Sequence, residues 1–522
     1  MNKFYITSPL YYVNASPHIG HAYTQIVCDA AARFEKQLEG GDTFFMTGTD
    51  EHGEKIEQAA LKAGYKAGEE KKFVDGIVPR FKELWKTLKV NYDYFIRTTD
   101  TIHKKTVEKV LQILNEKGKI YKKVYKGWFC TPCENFFSNA EVNEGVCPDC
   151  KRKLERLNEE NYFFKISEYQ KELIDHIKDD RIFITPDIRK NEVLSFLEKN
   201  ELQDLCISRP KKRLRWGIEI PFDKNFVTYV WFDALINYIS GIGYLNDRKK
   251  FDSLWPHVGH VIGKDILRHH AIYWPIILLA LGEKPPKSIF VHGWWVIGGE
   301  KMSKSKGNVV DPAYFTDKYG VDALRYFLLS AVGFGYDGTF YEKLFIDKYN
   351  NDLANDLGNL VNRTLTMVEK YFAGVVPDVE EKDIDNEIKS NTEDLPGKLA
   401  DAYANMNSLS ALKVVLERIG WANKYIEEKA PWKLAKEDER KLKIVIYNLV
   451  QTLAALAICL YPFIPDTAGK IWAQLGMKEK IANIKFKSNQ RSRPSLWGIV
   501  TSGTQISKGQ PLFPRIVSGK DE

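Results

Sequence analysis

The chain of 522 residues has room for roughly three or four structural units of ~150 residues each. Its 44% hydrophobic and 28% charged residues exclude a disordered or fibrous chain. The formal net charge of +7 permits a polyanionic partner without demanding one, because gripping many phosphates depends on local basic surface. The N-terminus, Met1-Asn2-Lys3-Phe4-Tyr5-Ile6, leads straight into strand-like sequence. It has neither a basic n-region with an apolar core nor an Arg/Ser-rich transit segment. Lys3 to Thr7 reads as a short apolar strand. Ser16 and Pro17 then supply an N-cap and a first-turn proline for a helix from Ile19 to Leu38. Gly40-Gly41 ends that helix, and Thr43 to Thr47 forms the next strand, closing with Asp50. Such a β-α-β unit predicts a parallel sheet with right-handed crossovers.

The pattern breaks near Gly118, where a Cys- and Lys-rich insert begins and runs to about Asp223. Helical segments are expected within it at Ser167–Ile177 and Lys190–Lys199. Sheet-like sequence resumes at Phe226–Trp231, His257–Ile262 and Ser288–His292, so the α/β domain is split around the insert. Beyond about residue 345 the pattern is almost wholly helical. The apolar stretch Ile444 to Pro465 is broken by Asn448, Gln451 and Thr452 and reads as a buried helix, not a membrane span. The expectation is a cytosolic protein with no membrane contact.

Among the seven cysteines, Cys28, Cys206 and Cys459 are scattered. Cys130, Cys133, Cys147 and Cys150 form two CxxC pairs around a short polar loop. In a cytosolic chain that spacing points to a metal site. Four thiolates leave no open coordination position, which suits one structural Zn2+, with an iron–sulfur cluster as the alternative.

Two distant segments carry phosphate chemistry. His18-Ile19-Gly20-His21 follows the first strand at a helix start, where backbone N–H groups favour anions and Gly20 lets a ligand approach closely. Taken alone, the tetrapeptide is equally compatible with surface or metal-binding histidines. Lys301-Met302-Ser303-Lys304-Ser305, preceded by Gly298-Gly299, is a donor-rich loop suited to polyphosphate, or by itself a solvated basic loop. Gly333 to Gly338 matches GxGxxG but follows a helix, and Gly259 to Asp265 has the wrong spacing for a P-loop.

Together the two segments resemble the HIGH and KMSKS signatures of the class I aminoacyl-tRNA synthetases, and the resemblance runs from Met1 to about Arg515. It implies ATP-dependent activation of an amino acid, with Mg2+ accompanying the ATP, and transfer to the terminal adenosine of a tRNA. His18 and His21 would contact the phosphates and Lys301 and Lys304 the departing pyrophosphate. Gly20, Gly263, Asp265, Ser303 and Ser305 complete the implied ATP site, with Asp265 near the ribose. Preorganised cations and N–H donors would stabilise charge that builds on the phosphate oxygens.

Further segments are similar to the methionyl-tRNA synthetases in particular: Tyr229 to Leu235, His260 to Asp265 and Asn355 to Leu360. The resemblance implies a methionine side-chain pocket of Leu10, Tyr12, Trp231, Ala234, Tyr238 and His270, with Asp50 on the substrate ammonium. Such aromatic surroundings suit a thioether; for each residue taken singly, a core role is the alternative. His269 departs from the Phe or other apolar residue usual in the family. The insert is too small for the hydrolytic domain of the isoleucine, valine and leucine enzymes. Thr7 to Tyr12 lacks the cysteine that the cysteine enzymes place there.

The division implied by the resemblance is a first catalytic half at 1–118 and a zinc-knuckle connective insert at 119–225. The second catalytic half takes 226–320, a stem-contact segment 321–350, a helical anticodon-binding domain 351–485 and a tail 486–522. Asn355, Asn359 and Arg363 are spaced to share one helix face, and with Trp432 they match the family's anticodon-reading positions. The implied partners are methionine, ATP and methionine tRNA, initiator and elongator, with a monomer expected. Two other readings stand beside this one: a HIGH-type nucleotidyltransferase making a small adenylylated metabolite, and a non-catalytic RNA-binding relative.

Overall fold

In the computed structural model the described residues are 2–131, 135–137, 142, 144–148, 151–297, 300–301, 310–384, 386–486 and 496–517. A parallel sheet forms the first body. Its strands are β1 (Asn2–Thr7), β2 (Tyr11–Tyr12), β3 (Gly41–Asp50), β4 (Tyr94–Arg97), β5 (Ile184–Thr185), β6 (Val258–Gly263) and β7 (Ser288–His292). The spatial order is β2-β3-β1-β6-β7-β5, with β4 also paired to β3. Register couples Thr7 with Met46 on one side and His260 on the other, so the carboxyl ends of β1, β3 and β6 open on one edge. Ligands of open parallel sheets bind at such an edge.

The strands expected at Lys3–Thr7, Thr43–Thr47, His257–Ile262 and Ser288–His292 are all present in this sheet. Two expectations change. Phe226–Trp231 does not rejoin the sheet: Asp223–Thr228 pairs antiparallel with Ser208–Pro210 and Glu219–Ile220, and Val230–Leu235 is helical (α2). Short apolar runs look alike whether they fill a strand or a buried helix, which is why the segment misleads. Conversely, Ile184–Thr185 from within the insert pairs parallel with β7 as an edge strand of the main sheet. The insert also holds the helices Gln170–Asp179 and Asp187–Lys199 and a four-stranded sheet in which Ile120–Cys130 pairs antiparallel with Glu155–Phe164 over ten residue pairs.

From Glu342 onward the chain is predominantly helical. The labelled helices are α1 (Ile19–Gln37), α2 as above, α3 (Asn359–Phe372), α4 (Ser408–Lys429), α5 (Pro431–Glu437) and α6 (Glu439–Leu460). Helix α6 is long and apolar enough to cross a membrane, yet 89% of its apolar window is buried inside the protein. It is the core helix of the second body. The two bodies are joined by buried charge. Asp29 on α1 pairs with Arg33 at 2.8 Å and with Arg325 at 2.7 Å. Arg325 also donates to the carbonyls of Phe463, Leu88 and Pro462 at 2.9–3.1 Å. A buried guanidinium is tolerated here because its donors are satisfied.

Candidate active site

At the start of α1 the two histidines cap the helix themselves. Ser16 is not the N-cap; His18 is, with extended backbone (φ −137°, ψ 178°). Its Nδ1 accepts the Gly20 N–H at 3.1 Å, and the His21 Nδ1 accepts the His18 N–H at 3.0 Å. A backbone N–H can only donate, so both Nδ1 atoms are acceptors and a neutral ring must carry its proton on Nε2. The rings lie 3.9 Å apart at 32°. Gly20 favours this arrangement, since a Cβ there would sit 3.0 Å from His18 Cε1 and the ring would have to shift. The reciprocal cap therefore satisfies two backbone donors at the start of the helix.

β6 ends at Gly263, and the turn Lys264–Ile266 follows with Asp265. A Cβ on Gly263 would meet the Asp265 Oδ1 at 2.6 Å, so glycine keeps the carboxylate in place. Lys264 pairs with Asp337 at 2.6 Å and lies over the Trp294 ring at 4.1 Å, which anchors the loop. Of the basic loop, the Lys301 backbone pairs with Val296 in a short antiparallel strand. Ser303, Lys304 and Ser305 lie outside the described residues.

Beside this edge, α2 presents Trp231 and Ala234, and the short helix Asn237–Ser240 presents Tyr238. Tyr12, from β2, meets Trp231 edge-on at 6.1 Å. Asp50 closes β3 with only 2% of its surface exposed, and Leu10 is half-buried just before β2. His270 accepts nothing at Nδ1, because its neighbour there is the Ile266 carbonyl at 3.0 Å. That nitrogen must donate, which leaves Nε2 to accept the Tyr238 hydroxyl proton at 2.8 Å. Burial lowers the His270 pKa to about 4 and raises that of Tyr238, so the pair is neutral. His269 and His270 belong to a π-helical turn, His269–Tyr273, an irregularity frequent at functional sites.

Two buried carboxylates next to these residues have no signal in the sequence. Asp233 sits between Trp231 and Ala234 and accepts from His52 Nδ1 and His103 Nε2, both at 2.7 Å. Burial alone would raise its pKa, but the His52 charge and the hydrogen bonds from both rings bring it below its ordinary value. Glu51 is held by Arg97 at 2.6 and 2.8 Å and by Thr49 and Thr99 at 2.6 Å. These contacts brace Asp50 and α2 from behind. Their partners are 46 to 181 residues apart in the chain, except for Thr49, two positions from Glu51. No local pattern signals them.

In the insert, Cys130 and Cys147 are fully buried in one small core with Phe137 and Leu154. Lys151 (φ 61°) turns the chain back so that its N–H reaches the Cys147 carbonyl at 3.0 Å. Cys133 and Cys150 lie outside the described residues, and the described cysteines form no disulfide. Among the described residues no group of three or more metal-ligating side chains is assembled.

On the second body, Asn355 belongs to a π-helical run, Tyr349–Gly358, and not to the same α-helix as Asn359 and Arg363. Asn355 and Asn359 are exposed. Arg363 pairs with Glu427 at 2.7 Å. Glu427 lies in the last turn of α4, and Trp432, 42% exposed, opens α5 just beyond it. The ion pair thus brings the Arg363 face to the corner that carries Trp432.

Comparisons with known proteins give the family. Residues 4–157 and 153–365 match the family model described as tRNA synthetases class I (M). Residues 385–502 match that of the anticodon-binding domain of tRNA ligase. The methionine–tRNA ligase of Caldanaerobacter subterraneus subsp. tengcongensis is 46% identical over 520 residues, 98% of this chain and 79% of that protein. The enzyme of the same name from Clostridium acetobutylicum is 47% identical over 518 residues, 98% and 78%. The solved structure of Mycobacterium tuberculosis methionyl-tRNA synthetase in complex with methionyl-adenylate superposes with a TM-score of 0.91 at 36% identity, covering 99% of this chain and 100% of that one. The α/β sheet with its sheet-edge histidines, the helical second body and these matches lead to one conclusion: the chain belongs to the methionyl-tRNA synthetases of class I.

Proposed function

We infer that the protein is a methionine–tRNA ligase. It activates L-methionine with ATP to methionyl-adenylate and pyrophosphate, then transfers the methionyl group to the 3′-terminal adenosine of methionine tRNA. The observation that carries this reading is the reciprocal His18–His21 cap at the same sheet edge as Asp50 and the Tyr238–His270 pair.

In the first step a methionine carboxylate oxygen attacks the α-phosphorus, and the bond to the pyrophosphate oxygen breaks. Negative charge grows on the phosphate oxygens, where the Nε2–H groups of His18 and His21 donate. Lys301, Ser303, Lys304 and Ser305 hold the leaving pyrophosphate, and Mg2+ accompanies the ATP. Gly20 and Gly263 let the nucleotide approach the backbone, and Asp265 binds the ribose. Asp50 takes the substrate ammonium. Leu10, Tyr12, Trp231, Ala234, Tyr238 and His270 surround the thioether with rings and apolar groups, a favourable setting for sulfur. No covalent enzyme intermediate is needed, so positioning and electrostatics carry the rate. In the second step a ribose hydroxyl of the terminal adenosine attacks the activated carbonyl and AMP leaves.

Asn355, Asn359, Arg363 and Trp432 read the anticodon of initiator and elongator methionine tRNA, the amides and guanidinium at base edges and the indole by stacking. One structural Zn2+ is held by Cys130, Cys133, Cys147 and Cys150. The burial of Cys130 and Cys147 in one small core supports that set. The enzyme works in the cytoplasm. ATP–pyrophosphate exchange with each amino acid, followed by charging of tRNA, tests the reading. Exchange with methionine alone is expected; exchange with another amino acid, or none with methionine, overturns it.

A further inference from the structure

His269 is 92% buried, and neither ring nitrogen has a hydrogen-bond partner among the described residues. The ring is stacked on Trp231 at 3.9 Å and 27°, with Tyr273 edge-on at 5.4 Å. The Trp231 Nε1 is likewise buried without a partner among the described residues. Two of these three polar nitrogens lie in the turn that carries His270, and the third comes from α2, whose Trp231 ring is stacked on His269.

Buried polar atoms without partners are costly, and each one in a native protein requires an explanation. Packing does not provide it, because a phenyl ring would stack on Trp231 equally well and carry no desolvation penalty. Burial lowers the His269 pKa to about 3, so the ring is neutral and keeps one donor and one acceptor.

We propose that His269 is a specificity-determining residue of the amino-acid site: its imidazole gives the wall beside Trp231 a hydrogen-bonding edge. The pocket therefore takes a side chain with an ether oxygen at the thioether position more readily than a hydrocarbon-walled pocket would. An ether oxygen is a better acceptor than a thioether sulfur, and norleucine offers no acceptor at all. This inference rests on the reading that Trp231 and Tyr238 line the methionine pocket.

The test is ATP–pyrophosphate exchange with methionine, O-methylhomoserine and norleucine, using the unaltered protein, H269F and H269Q, each checked by thermal unfolding. H269F should lower kcat/KM for O-methylhomoserine relative to methionine by about 3- to 10-fold, the scale of one net hydrogen bond. It should raise that for norleucine relative to methionine. H269Q, which keeps a donor and an acceptor, should restore the O-methylhomoserine ratio. If the ratios stay fixed while the methionine KM moves, the ring only packs and the proposal is overturned with the pocket reading intact. If neither H269F nor Tyr238→Phe moves any methionine constant, the pocket reading fails and the proposal with it.

Discussion

Tyr238 donates its hydroxyl proton to Nε2 of His270 across 2.8 Å, and the direction is set by the Ile266 carbonyl on the opposite side of the imidazole. Removing the hydroxyl leaves a buried nitrogen without its donor and loosens both rings of the proposed methionine pocket. Tyr238→Phe is expected to raise the methionine KM in pyrophosphate exchange by about 3- to 10-fold, with a smaller effect on kcat. An unchanged KM would take Tyr238 out of the pocket.

Stability should depend on pH through the buried histidines. Burial lowers the pKa of His269 to about 3 and of His270 to about 4, and those of His260 and His292 are lowered by the same cause. The unfolded chain takes up these protons near pH ~6.5, while the native chain does not. In that window the unfolded state binds more protons, so stability falls as pH drops from about 6.5 towards 4, with a slope of at most about 1.4 kcal/mol per pH unit each from His269 and His270. Asp233, held below its ordinary value, adds a loss at lower pH: its contribution is present above about pH 4 and disappears as pH falls through its folded value. Thermal unfolding between pH 7.5 and 4 checks this. A level melting temperature across that range would contradict it, and H269F should flatten the slope.

Lys304→Ala should reduce adenylate formation by roughly 10²–10³-fold, the cost of losing a charge-stabilising donor in the transition state. Methionine affinity should change little. Single-turnover formation of the adenylate is the appropriate measurement, and undiminished turnover would remove the assigned role.

Trp432→Ala should impair tRNA charging and leave pyrophosphate exchange intact, because its exposed ring lies at the α4–α5 corner of the second body. The loss of a stacked base is worth about 1–3 kcal/mol, which is roughly 5- to 150-fold in tRNA kcat/KM. Equal losses in both assays would point to damaged folding.

Elemental analysis of the purified protein should find about one zinc per chain, as four thiolates close one tetrahedral site. Cys147→Ser should lower that content sharply, since Cys147 is fully buried in the small insert core with Cys130. Retention of full zinc in Cys147→Ser would assign the ion elsewhere.

The readable part of this protein is local or composed of side chains with distinctive chemistry. The strand at Lys3–Thr7, the helix after Pro17 and the strand to Asp50 follow from periodicity and punctuation within about fifty residues. His18–His21 and Lys301–Ser305 stand out in the sequence because their residue types carry distinctive donor chemistry, whatever their surroundings. The cap lies at His18 although serine is the commoner capping residue, and only the three-dimensional turn shows two imidazoles accepting hydrogen bonds from the backbone.

The amino-acid sequence by itself therefore determined the order of the motifs and the helix–strand alternation of the first fifty residues. The tertiary structure decided which rings meet. It decided that Asp233 binds His52 and His103, that Ile184–Thr185 closes the sheet edge, and that His269 lies flat on Trp231 in a π-helical turn. The reason is physical: periodicity and capping are properties of a few neighbouring residues. A contact across 130 or 181 positions depends on sheet register and on packing of the whole core.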